Sequence, residues 1–79
     1  MKFETTVFNG KRIQISYIVG YIGGNKCQLI RKEVFDGHED FIHIANLDSA
    51  EVTDFLLNEV DRFSYSTEAE MIEEATVKF

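Results

Sequence analysis

The sequence predicts an α+β domain: a four-stranded antiparallel β-meander, one long helix packed on one face, and a short C-terminal helix or strand. Three observations predict it. Four runs, 3–8, 12–22, 26–35 and 40–45, are rich in Val, Ile, Thr, Tyr and Phe and are separated by Gly, Asn and Asp, as strands joined by tight turns are. Past residue 47 the apolar period changes from two to between three and four. No proline, repeat, linker or low-complexity tract interrupts the 79 residues, so 1–79 reads as a single compact domain.

The first joint is "VFNGKRI". A two-residue Asn-Gly turn would mix polar and apolar residues on each face of the hairpin. A three-residue loop with a left-handed Gly10 instead pairs Val7 with Ile13, Thr5 with Ile15 and Phe3 with Tyr17, giving a coherent apolar face. The second joint is "YIVGYIGGNKCQL", residues 17–29. Its glycines invite comparison with a phosphate-binding loop, but such a loop needs a helix to begin there. The next residues, "KCQLIRKEVF", are strand-like and hold no Lys-Ser/Thr pair. A turn at Gly23, Gly24 and Asn25 then sets Tyr21 opposite Cys27, Val19 opposite Leu29 and Ile13 opposite Phe35, all on the odd-numbered face.

Ile18, Ile22, Ile30 and Val34 take the even-numbered face, with Ile18 and Ile30 as cross-strand neighbours. Either the C-terminal segment covers them, or a bulge near Arg31–Glu33 turns the strand end. The remaining reading is an exposed patch for a homodimer or another partner. After the Asp- and Gly-rich turn "DGHED" comes the short strand "FIHIA".

The helix is expected over 49–62. Asp48 stands as N-cap with Glu51 three residues on, and Leu47 and Val52 are spaced as a hydrophobic staple. Val52, Phe55, Leu56, Val60 and Phe63 fall on one stripe, with Asp54, Asn58 and Asp61 opposite. Leu57 lies off the stripe. Thr67 and Glu70 repeat the capping pattern, so a second helix is expected over 68–75, and "ATVKF" at 75–79 alternates like a strand.

Composition narrows the function classes. Hydrophobic residues make up 44% of the chain, seven of them Phe, enough for a packed core. A single cysteine excludes an internal disulfide and suits a reducing compartment. "MKFETTVF" lacks the apolar run of a secretory signal, and no stretch approaches the roughly 18–20 apolar residues of a membrane span. The expectation is a cytoplasmic protein with no membrane contact. Residues 1–47 hold six basic and five acidic residues, net +1; residues 48–79 hold two basic and nine acidic, net −7. An acidic half disfavours direct binding to nucleic acid and favours a basic protein surface.

Four chemistries have candidate residues. Asp36, His38, Glu39, Asp40 and His43 are metal-ligand types, but their spacing matches no ligand pattern and a turn gathers such residues anyway. No metal or other cofactor is expected. Cys27 faces the core, where a cysteine is a small inert hydrophobe rather than a nucleophile. Carboxylates are abundant but no pair stands out as an acid–base dyad, so no catalytic residue is assigned and an enzyme is not expected. Lys11, Arg12, Lys26, Arg31 and Lys32 lie near Tyr17 and Tyr21, a pattern that can stack single-stranded nucleic acid, yet the helix should cover both tyrosines.

The acids at Glu51, Asp54, Asp61, Glu68, Glu70, Glu73 and Glu74, with Asn58 among them and Leu57 as an apolar anchor, form the candidate partner-binding surface. Acids on rigid elements facing a basic groove speed association and fix register. The expected function is non-catalytic inhibition or modulation of a protein, including one whose own basic surface binds nucleic acid. In size, charge and architecture the chain resembles small host-interaction proteins of phages and mobile elements, such as anti-restriction and anti-CRISPR inhibitors. That resemblance has no motif, so it assigns no residue. A structural homodimer or assembly factor built on Ile18, Ile22, Ile30 and Val34 is the alternative, and a small metal-dependent or nucleic-acid-binding domain is a further one.

Overall fold

The computed structural model describes residues 1–76. Four strands, β1 (Lys2–Asn9), β2 (Ile13–Gly23), β3 (Lys26–Phe35) and β4 (His38–Asp48), form one antiparallel sheet in the order β1-β2-β3-β4. Two helices come after the sheet, α1 (Ser49–Ser64) and α2 (Glu68–Glu74), completing the expected α+β architecture. Of the expected C-terminal strand, residues 77–79 lie outside the described residues.

The β2–β3 hairpin takes the expected register: Tyr21 pairs with Cys27, Val19 with Leu29 and Ile13 with Phe35. Gly23 and Gly24 sit at φ 125° and 57°, a backbone that residues with a Cβ rarely adopt. The glycines therefore make a turn. The β3–β4 turn is tighter than the sequence suggests. Asp36 (φ 51°) and Gly37 (φ 83°) form a two-residue turn whose twist matches the strands, so His38 already pairs with Phe35 and β4 begins there.

The first hairpin departs from expectation. Thr5 pairs with Tyr17 and Phe3 with Val19, two residues away from the expected partners. Gly10 is not left-handed; Asn9 pairs with Gln14, and the turn is made at Lys11 and Arg12. A bulge at Val7 accounts for the change, since Thr6 pairs with Ser16 but Phe8 with Ile15. The extra residue lets both Val7 and Phe8 pack against the core, where simple alternation would bury only one. The Phe8 ring reaches Phe63, with centroids 6.3 Å apart.

Odd positions of the sheet and the inner faces of both helices make the core. Ile13, Ile15, Tyr17, Val19, Cys27 and Leu29 are buried against Val52, Phe63, Met71 and Ala75. The Tyr17 ring stands edge-on to Phe55 at 5.2 Å, and its burial raises the phenol pKa despite the nearby Arg31 charge. Helix α1 begins as its sequence requires: the Glu51 carboxylate accepts from the Asp48 amide (3.1 Å), and Leu47 and Val52 both join the core. Val60, expected inside, is exposed; the inward line runs through Val52, Phe55, Leu56 and Phe63.

The core face also holds an ion pair that apolar patterning does not anticipate. No bulge turns the β3 end, which pairs with β2 without interruption through Arg31 and Glu33. The irregularity lies on β4 instead, where Ile44 is the extra residue between the partners of Leu29 and Ile30. Arg31 and Glu33 therefore point under the helices, with Arg31 Nε 2.7 Å from Glu33 Oε2 and the Glu33 side chain 1% exposed. The Thr76 amide donates to the same carboxylate at 3.3 Å, tying the end of the described chain to the sheet.

Candidate functional site

The outer surface of α1 is where unengaged charge and exposed apolar area coincide. Asp54, Asn58 and Asp61 succeed one another at helical spacing along a line about 10 Å long. The Asp54 and Asp61 side chains make no hydrogen bond or ion pair among the described residues. Leu57 lies among them, 64% exposed. Val60 and Tyr65, the latter 82% exposed, extend the apolar area toward the helix end.

The other acids of the expected surface are engaged within the chain. Glu51 caps α1. Glu68 lies across the first turn and accepts from the Arg12 amide at 3.0 Å. Gly10 is needed there: a Cβ would collide with the Glu68 carboxylate and come within 2.9 Å of the Ile13 carbonyl oxygen. Glu70 takes part in the Thr67 cap, accepting from Thr67 Oγ1 at 2.9 Å while its own amide donates back at 3.3 Å. Glu74 pairs with Arg62, which also holds Glu59. Glu73 is exposed on α2. Of the acids expected to meet a partner, four are thus committed to caps, a backbone hydrogen bond or an ion pair. Asp54 and Asp61 remain as the open charges of α1.

Several expectations about the exposed face are corrected. Helical spacing groups Val60 with the core stripe and assigns Tyr65 no role, although both add to the exposed surface. The signal for Tyr65 is its place just past the last turn of α1, where the stripe no longer applies. Tyr21, expected beneath the helix, is nearly half exposed at the end of β2.

The remaining chemistries fare as their geometry dictates. His38 pairs with Phe35 and His43 with Ile30, so the two imidazoles occupy opposite faces of β4 and cannot share an ion. His43 Nε2 lies 3.1 Å from Asn46 Oδ1, and among the described residues no three metal-ligand side chains converge. Cys27 is buried, and its thiol lies 3.7 Å from the Ser49 hydroxyl, which is no general base. Tyr17 is buried and cannot stack on a base. The basic residues of the sheet are mostly neutralised: Arg12 pairs with Asp36, Lys26 with Asp48, Arg31 with Glu33 and Lys32 with Glu4. These contacts hold Asp36 and Asp48 below the usual carboxylate range, each through the hydrogen bond from its cation. No pocket opens among the described residues, and no helix is long and apolar enough to cross a membrane. The chain matches no protein-family model, no curated protein and no solved structure.

Proposed function

We propose that this protein is a non-catalytic binding module that inhibits or modulates a macromolecular partner by covering a basic surface with the outer face of α1. The observation that carries the reading is Leu57, exposed on a rigid helix and set among Asp54, Asn58 and Asp61. Interfaces commonly place an apolar anchor inside a polar rim, and here the rim is acidic. The asymmetric charge of the sequence supports the same choice of partner, a protein with a basic face such as one that itself binds nucleic acid. The overall profile of size and charge, similar to that of inhibitors encoded by phages and mobile elements, supports occlusion as the mode of action.

A pull-down from nuclease-treated lysate tests the proposal, with washes at about 0.15 and 0.5 M salt. A discrete basic protein should be retained at the lower salt and lost at the higher. Leu57→Ala should weaken it by roughly 5–30-fold, the range of a modest interface anchor. Asp54→Lys with Asp61→Lys should abolish retention. Equal capture by the charge-reversed variant would refute the electrostatic role of α1.

A further inference from the structure

We propose that the open face of the sheet is the seat of a second copy of this chain, packed sheet to sheet about a two-fold axis. Both helices lie on the odd-numbered face, so no described element covers the even one. Its centre is the direct cross-strand pair Ile18–Ile30. Val34 flanks this pair, and the pairing of Lys32 with Phe41 brings the Phe41 ring, 56% exposed, onto the same face. Ile22, the extra residue where the register shifts between Tyr21 and Gly23, is 55% exposed at the end of β2.

Charge selects the occupant. The strand pairings put Lys2, Lys26 and Lys32 on this face together with Glu4, Glu39 and Asp48, so its Lys and carboxylate charges balance. Lys32 lies 3.4 Å from Glu4 and Lys26 lies 2.9 Å from Asp48, which satisfies two of the cations internally. A charge-balanced face with an apolar centre attracts neither a basic nor an acidic partner over distance, but it complements itself. The excess of negative charge belongs to residues 49–79, which supply both helices and hold eight acidic against two basic residues. Two copies meeting by their helices would repel. Packed by their sheets about 10 Å apart, they would hold their helical layers roughly 30 Å apart, several Debye lengths at physiological salt.

Area is sufficient. Strands of 8–11 residues spaced by about 4.8 Å give each copy a face of roughly 600 Å² before side-chain relief is counted. A stable interface buries about 800 Å² per partner. Aligned sheets cross at about 30°, which keeps the Ile18–Ile30 centres of both copies in contact. The pair would present its two α1 surfaces outward, on opposite sides.

Sedimentation of the full chain over about 5–500 µM tests this. The expected species is about 18 kDa, twice the 9.1 kDa of one chain, and it should persist in about 1 M salt because no charge pairing holds it. Ile18→Lys with Ile30→Lys should shift the population to monomer, with the dissociation constant raised roughly tenfold or more by the buried charge. Phe41→Lys, at an already exposed position, is the milder variant that keeps the fold and should weaken the dimer in the same direction. Leu57→Lys on α1 should leave the dimer intact. A chain that stays at 9.1 kDa throughout would overturn the proposal. So would a dimer broken by Leu57→Lys, or one whose formation newly protects β4 amides from exchange, since that signals edge pairing.

Discussion

Replacing Glu33 by Ala should be among the most damaging single substitutions in the chain. The carboxylate is 1% exposed and the Arg31 side chain 12%, so neither charge has water to fall back on. The guanidinium is poorly served without Glu33. Its nearest other partners are the Tyr17 hydroxyl at 3.5 Å and the face of Phe63, 5.9 Å from the ring centroid. Its buried Nε lies close to Glu33 Oε2, yet the N–H is not aimed at that oxygen, so the contact is held by charge more than by hydrogen-bond geometry. Removing one partner of a buried pair leaves an uncompensated charge and costs about 3–5 kcal/mol. The Thr76 amide loses its acceptor as well.

A chain of 79 residues has a total stability on the order of 4–12 kcal/mol, so the loss is a quarter of it or more. At about 4–8 °C per kcal/mol for a domain of this size, the thermal midpoint should fall by roughly 12–40 °C. Urea and thermal unfolding followed by circular dichroism measure both quantities. The instructive control replaces both partners, Arg31→Met with Glu33→Leu. A buried pair exchanged for apolar side chains of similar volume is often neutral, so the double variant should lie within about 2 kcal/mol of the natural chain. A Glu33→Ala loss below about 1 kcal/mol, or a double variant less stable than the single one, would refute this account of the pair.

Stability should respond to pH at both ends. Asp36 and Asp48 have folded pKa values lowered by their cations, so their contribution is present above the ordinary carboxylate value of about 4 and is lost as pH falls through the lower folded values; Asp36→Asn with Asp48→Asn should flatten that acid limb of the urea midpoint. Tyr17 behaves oppositely: burial raises its folded pKa, so its contribution is intact below about pH 10 and declines above it, and Tyr17→Phe should remove that alkaline slope. Gly10→Ala should cost about 1–3 kcal/mol by forcing the Glu68 carboxylate aside, and adding Glu68→Ala should relieve only part of the cost because the Ile13 carbonyl contact remains. Cys27, buried beside Ser49, should react with a thiol reagent only through opening of the fold, on the order of 100-fold or more slower than in urea; rapid labelling of the native chain would contradict its placement.

The order and sidedness of the fold are legible because two periods, two and 3.6, carry most of the sequence's apolar residues. The Tyr21–Cys27 register comes from alternation alone, and the start of α1 from Asp48 and Glu51. Alternation fails where a strand inserts a residue. Val7, Ile22 and Ile44 each do so, and local sequence does not encode where such bulges fall. Arg31 and Glu33 are hidden for a related reason. Their parity is that of the core, but two charges on one face suggest a strand end turned to water until the helix layer supplies a lid over both. The candidate site is legible as a charge excess but not as a surface. The engagement of Glu51 and Glu70 follows from capping patterns three residues long, but that of Glu68 depends on Arg12, and no spacing rule reaches across 56 residues.

The order of elements along the chain turns a sequence asymmetry into a spatial one. Residues 1–47 are nearly balanced in charge and supply most of the sheet, while 48–79 carry the negative excess and supply both helices. Since the sheet keeps one face to itself, a body only 16 Å through its shortest axis has an acidic side and a charge-balanced side with an apolar centre. Long-range attraction acts on the first and hydrophobic burial on the second, and salt separates them: screening weakens contacts made by Asp54 and Asp61 but leaves those of Ile18 and Ile30 unimpaired. Association that fades with salt therefore reports on α1, and association that survives salt reports on the sheet. Were both to fade together, the charge-balanced face would have to be contacting charge, and the assignment of the two surfaces to different kinds of partner would fail.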